Sequence, residues 1–344
     1  MSRGAEVVVA GAGVLGLSCA LALADAGCRV TVCDPAREGS NASGVAAGML
    51  APVFETVLDA EGPRDFNLLM AARDLWPALT ARAGIELHRT GAAAVGAPPW
   101  LARIRAGVSA LGIKPIDLDR PRLEALAPGL ASDLADGLLT TDDWRLDAGP
   151  GLAALRAAGE AAGVRYLREA VGASDRPDWL VIATGAGQDL AARAPELALL
   201  SPIKGQILRF PEHRGGGATL RGEGVYAAPG GHGLAVGATM EPGVSDSVVD
   251  PVKLEPLLQA GTRLLPGLSG AAFAAAAGVR AATPDGLPLA GLSAAPGILL
   301  AVGARRNGWL LAPLVARAVA ACVTGQDAGS HAARLAPKRF ASSG

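Results

Sequence analysis

Gly11-Ala12-Gly13-Val14-Leu15-Gly16 and Asp34 are the residues of this chain whose types and spacing speak most directly of chemistry. A G-x-G-x-x-G run followed roughly 20 residues later by an acid is the arrangement that holds a dinucleotide. Gly11 allows the tight turn, Gly13 lets the backbone reach a pyrophosphate, and Gly16 lets the following helix pack closely on its strand. The free N–H groups and positive dipole end of that helix favour phosphate. Asp34 can accept hydrogen bonds from ribose hydroxyls, and it repels a 2′-phosphate, which argues against NADP. The pattern alone does not separate NAD from FAD. A second signal is Arg280, which follows the uncharged stretch Gly267–Val279 and precedes two alanines. A guanidinium in apolar surroundings needs an anion, and its planar fork suits a carboxylate bidentately. An internal salt bridge is the alternative. No Ser-His-Asp or Cys-His arrangement stands out. The four cysteines form no C-x-x-C pair and the four histidines are isolated, so metal-ligand spacing is absent.

The elements needed to present these residues are legible nearby. Glu6–Ala10 is a β-branched run suited to a buried parallel strand. Leu17–Ala26 is an Ala/Leu-rich helix closed by Gly27, and Arg29–Asp34 is a second strand ending in the acid. Further along, a helix is expected over Arg64–Arg82, ended by Gly84, followed by a strand-like piece at Ile85–Thr90 and a helix near Pro99–Leu111. A strand at Gly137–Thr140, a helix at Gly149–Ala162 and a buried strand from Trp179 follow. Lys204–Phe210 is expected as a strand, Gly224–Pro229 with Leu234–Ala238 as a hairpin, Asp250–Leu265 as an amphipathic helix, Gly297–Gly303 as a strand and Trp309–Val323 as a closing helix. The alternation reads as a nucleotide domain interrupted twice, with 1–84, 142–200 and 278–344 forming the cofactor unit and 85–141 and 201–277 the substrate unit.

Composition narrows the function classes. The chain has 344 residues, half of them hydrophobic and 18% charged, which excludes a disordered chain. Its 31 basic and 32 acidic residues leave no excess to neutralise a phosphate backbone, so a nucleic-acid partner is not expected. Val7–Ala24 follows Arg3 and has the look of a signal peptide, but its glycine motif gives it another purpose. Gly286–Ala304 is also free of charge, yet Pro288 and Pro296 break it into turn, strand and turn. No membrane span is expected. Four cysteines in so long a chain read as small buried hydrophobes and fit a reducing cytoplasm. A homo-oligomer is left open.

The chain resembles the FAD-dependent D-amino-acid oxidase superfamily, and within it the glycine oxidases of thiamine biosynthesis. The resemblance runs through GAGVLG (Gly11–Gly16), ASGVAAGMLAP (Ala42–Pro52), VIATGAG (Val181–Gly187), IKGQ (Ile203–Gln206), GVYAAPGGHGLAVGATMEPG (Gly224–Gly243), GVRAATPDGLPLAG (Gly278–Gly291) and RRNGWLLAPL (Arg305–Leu314). It implies an α/β chain with a Rossmann-like FAD-binding domain and an interleaved α+β substrate domain on an antiparallel sheet. It implies non-covalent FAD, a small amino-acid or amine substrate, and hydride transfer to flavin N5 giving an imine. O2 is then the acceptor, yielding H2O2; a dehydrogenase passing electrons to a quinone or partner is the alternative. It makes Arg280 the carboxylate-binding arginine, Arg306 a second contact beside the flavin, and Tyr226 a hydroxyl donor. Met49 and Met240 become apolar walls. Ala42, Ser43, Ala47, Gly48 and Met49 line the flavin and phosphate side, with Val171, Thr184 and Gly185 completing the cofactor set. Backbone N–H groups of Asn307, Gly308, Trp309 and Leu310 face the flavin pyrimidine edge. Ala304 and Arg305 stand where relatives carry His and an aromatic, Val171–Asp178 is short, and WRLD (Trp144–Asp147) replaces a valine-aspartate-proline run. Lys204 is read as a solvated charge at a strand end.

Overall fold

Val7–Ala10 are buried because the strand Glu6–Ala10 runs through the middle of a six-stranded sheet. The computed structural model of the chain describes residues 4–59, 65–172 and 176–341. From edge to edge the sheet runs Leu289–Leu292, Ile298–Val302, Trp179–Ile182, Glu6–Ala10, Arg29–Cys33 and Arg165–Leu167. Its five later strands pair in parallel, with Val9 opposite Val32 and Val181, while Leu289–Leu292 returns antiparallel. The helix Val14–Asp25 packs on one face against Gly308–Thr324, which is buried nearly all round. Strands covered on both faces read as continuous apolar runs, which is why this part of the chain was legible.

A nine-stranded sheet stands beside it. The long strand Ser201–Phe210 pairs antiparallel with Leu234–Gly237 and with Ala274–Ala282. The path continues through Val225–Ala228, Thr219–Gly222, Ala92–Val95, Gly137–Thr140 and Ile116–Leu118. All pairings in it are antiparallel except that of Thr219–Gly222 with Ala92–Val95. Arg209 ties the two parts together. Its guanidinium donates to the carbonyls of Val45 and Ala46 at 2.9 and 3.0 Å.

Three expectations are corrected. Within Arg64–Arg82 there are two helices, Phe66–Asp74 and Trp76–Ala83, not one. Pro77 suits the first turn of a helix but not an interior, so the chain breaks and restarts before it. Arg64 and residues 173–175 lie outside the described residues. Ile85–Thr90 is not a strand: it makes one isolated bridge, His88 to Arg145, and the strand is Ala92–Val95. Lys204 is not solvated. It is 4% exposed and its Nζ lies 2.7 Å from Asp246 Oδ1. Of the cysteines, Cys19 and Cys33 are buried while Cys28 and Cys322 are partly exposed. No helix among the described residues is long and apolar enough to cross a membrane.

Candidate active site

A groove of about 590 Å³ opens where the helix Val14–Asp25 begins. Gly11, Gly13, Val14, Leu15, Asp34, Ala42, Ser43, Val171, Thr184 and Gly185 line it. Gly11 has φ +111°, and a β-carbon there would overlap the Ala183 carbonyl. Gly13 sits at the helix N-cap without offering a side-chain cap, so the first-turn N–H groups beyond Val14 are left for a ligand. Ser43 Oγ accepts from Val14 N–H at 3.0 Å, and Asn41 caps the short helix Ala42–Val45 that carries Ser43. Asp34 accepts from Ala12 N–H at 2.7 Å and from Ala36 N–H at 2.9 Å, bracing the glycine turn against the end of its strand. Glycine cradle, helix N-terminus and terminal acid together fit the phosphates and ribose of a dinucleotide. Ala12, Gly16 and Leu310 do not line the groove. Gly16 instead lets the helix close onto the Gly11 carbonyl.

The groove meets a cavity of about 700 Å³, the two sharing Ala42, Ala46, Gly278, Arg280, Arg306 and Trp309. Ala47, Gly48, Met49, Tyr226, Met240 and Asn307 also line the cavity. Gly48 has φ +75° and packs on the Leu146 carbonyl, where no side chain fits. Trp309 Nε1 donates to the Ser43 carbonyl at 3.0 Å, locking the start of its helix to the Ala42–Val45 turn. Asn307 N–H is bonded to the Ala304 carbonyl at 2.8 Å, so its amide is spent within the turn. Gly308 opens the helix.

The cavity wall carries Arg103, Arg221, Arg280 and Arg306 against Glu55 and Glu223. Arg103 lies 3.8 Å from Glu223 at the exposed rim. Arg306 lies 3.0 Å from Glu55 and 3.7 Å from Asp59, which makes it part of an internal bridge. Arg221 reaches the other Glu55 oxygen at 2.8 Å. Burial alone would raise the Glu55 pKa, but Arg306 and Arg221 outweigh it and hold the group below its usual range. Arg280 is different: among the described residues it has no carboxylate partner. Its Nη1 contacts the Thr239 carbonyl and Met240 Sδ, each at 3.4 Å. Burial pushes its pKa below the ordinary arginine value, so an incoming anion gains from a poorly solvated cation. Tyr226 is buried, and burial pushes its pKa up despite the nearby arginines, led by Arg280. Its hydroxyl stays protonated and able to donate.

Sequence reasoning missed Glu55, Arg221 and Arg209. Glu55 follows the Ala42–Pro52 motif by three residues and Arg221 is one strand away from Tyr226, directly opposite it in register. Their charge within apolar runs was the available signal. Arg305, the departure from relatives, takes φ +47° and pairs with Asp59 in the interior. Among the described residues no cluster of His, Cys, Asp and Glu could hold a metal ion.

Comparison with known proteins agrees with this architecture. A putative thiamine biosynthesis oxidoreductase ThiO of Rhizobium etli is 33% identical over 92% of this chain and 95% of its own. The bifunctional ThiO/ThiG protein of Nostoc sp. is 30% identical over 93% of this chain, but the chain spans only 53% of that protein's length. The crystal structure of glycine oxidase from Geobacillus kaustophilus superposes with a TM-score of 0.82 at 27% identity, covering 98% of this chain and all of the other. The family profile described as DAO, FAD dependent oxidoreductase, matches residues 6–322. With its glycine cradle, its groove and nearly its whole length inside that match, the chain belongs to the FAD dependent oxidoreductase family.

Proposed function

We propose that this protein oxidises glycine, or a related small amine or D-amino acid, to the imine, which water converts to the 2-oxo acid and ammonia, with O2 reduced to H2O2. The groove residues Gly11, Gly13, Ser43 and Asp34 would hold FAD non-covalently, which would supply the hydride acceptor. Arg280 carries the reading, because it is the cavity arginine without a carboxylate partner among the described residues. Its fork takes the substrate carboxylate, and Tyr226 donates its hydroxyl to the same group. Arg306, held by Glu55 and Asp59, closes the cavity wall beside them. Met49 and Met240 form apolar walls that orient the α-carbon. The six-stranded sheet supports 1–84, 142–200 and 278–344 as the cofactor unit, with the strand Ala274–Ala282 running across from the substrate unit.

The test is anaerobic titration of the yellow holoprotein. Glycine, sarcosine or a small D-amino acid should bleach the flavin absorbance and L-amino acids should not; air should then restore the colour with release of H2O2. A protein that takes up no FAD, or a flavin no member of the panel reduces, overturns the proposal. Slow reoxidation in air moves the acceptor from O2 to a quinone or partner. Arg280→Ala should lower kcat/KM by about 10²–10³, as loss of one partner of a water-poor ion pair predicts, while FAD stays bound.

A further inference from the structure

The Ile203–Gln206 run is a motif that the groove and the cavity walls leave largely unexplained, and it lies on the strand paired with the one that carries Arg280. Arg280 stands opposite Ile203 in the antiparallel pair of Ser201–Phe210 with Ala274–Ala282. Side chains of residues two apart share a face of a sheet, so Arg280 crosses diagonally over position 205. That position is glycine. A β-carbon there would overlap the Arg280 guanidinium, all three nearest atoms belonging to it. Gly205 does not have a positive φ, so its backbone does not demand glycine. The space does.

The residues on either side fix the opposite wall. Segment 239–250 lies along Ser201–Phe210 and supplies the Thr239 carbonyl and Met240 Sδ that touch Arg280. Gln206 is fully buried. Its Nε2 donates to Glu241 at 2.8 Å and its Oε1 accepts from Asp250 N–H at 2.7 Å, while its backbone N–H donates to Thr239 Oγ1 at 2.9 Å. Lys204, also buried, holds Asp246 at 2.7 Å. A buried ammonium on one exposed aspartate is a costly fastening for a loop, unless the loop must keep a fixed place.

We propose that Lys204, Gly205 and Gln206 are positioning residues for Arg280: Gly205 leaves the floor on which the guanidinium lies, and Lys204 and Gln206 strap down the segment that bounds it from the other side. The proposal rests on Arg280 as the carboxylate-binding group. Gly205→Ala is the direct test, because the overlap is with the end of a flexible side chain, so the fold should survive and the guanidinium should move. In the FAD-loaded enzyme we expect KM for the best amino acid to rise at least tenfold with kcat changed less. Acetate binding, read from the shift it produces in the flavin spectrum, should weaken about as much, and FAD affinity should stay within twofold. On an Arg280→Ala background the same change should cost less than twofold, an outcome that general loosening of the strand would not produce. Lys204→Met, apolar and of similar length, should raise KM severalfold by freeing the strap. Wild-type KM and acetate affinity in Gly205→Ala, or an equal loss with and without Arg280, would overturn the inference. If Arg280→Ala itself binds acetate and turns over like the wild type, the carboxylate reading fails and this inference with it.

Discussion

Glu55 is 6% exposed and stands between the guanidinium groups of Arg221 and Arg306. Removing it leaves the buried Arg221 without its carboxylate and beside Arg306, which keeps Asp59. Loss of one member of a buried ionic group typically costs roughly 3–5 kcal/mol. Glu55→Ala should therefore lower unfolding free energy by about that much in a denaturant titration, and Glu55→Gln by less, since an amide still accepts a hydrogen bond. Equal stability of Glu55→Ala and wild type would mean that the two arginines are solvated. This trio was not legible in the sequence. Arg221 lies 166 residues from Glu55, and a charged residue in an apolar run announces only that some partner exists. Arg280 was legible for the same reason, through its uncharged approach, but whether it met an internal acid or was left for a ligand needed the partner list. Arg306 shows the other outcome, because its charge is taken up by Glu55 and Asp59.

The helix Pro52–Leu58 carries Glu55 into the cavity, yet its N-cap is Ala51, which has no side chain to offer. Asp143 supplies the cap from a distant turn, accepting from Val53 N–H at 2.8 Å and Phe54 N–H at 3.0 Å. It is completely buried, and burial pushes its pKa up to about 7. A carboxyl whose pKa is higher folded than unfolded binds its proton more tightly in the native state. Its contribution to stability is present below the unfolded pKa of about 3.9 and is lost as pH rises towards 7. A gap of that size corresponds to something on the order of 4 kcal/mol. Between about pH 4 and 7 the melting temperature should fall as pH rises, and Asp143→Asn should flatten that fall. An unchanged slope in the variant would remove Asp143 as its source. At this scale the sequence is read best where periodicity is simple. The helix Pro98–Ala110 and the hairpin Val225–Ala228 with Leu234–Gly237 match their apolar patterns. Ala92–Val95 does not alternate because both of its faces are covered, so the neighbouring Ile85–Thr90, which does alternate, looked more like a strand.

Across the whole molecule, groove and cavity join between the two sheets, so the groove is lined by elements from both ends of the chain: Gly11 and Val14 near the start, Gly303 and Trp309 near the end. A ligand that binds only the folded state adds about 2.7 kcal/mol at a hundredfold excess over its Kd. Stripping FAD should lower the melting temperature, and adding it back should restore the value in proportion to the logarithm of its concentration. A melting temperature indifferent to FAD would remove the groove as its site. The amino-acid sequence by itself determined the glycine turn, its two strands and the acid at Asp34, because these residues interact over fewer than about 30 positions and each has a local geometric task. It also determined that Arg280 is a cation in need of a partner. The tertiary structure alone decided which partners the charged groups found. Gly205 under Arg280, Glu55 between Arg221 and Arg306, Lys204 on Asp246 and Asp143 beneath Val53 all depend on strands and turns far apart in the chain coming into one register. Charge and size are written in a residue; which neighbour answers them is set by long-range pairing, where a shift of one position would turn every side chain to the other face.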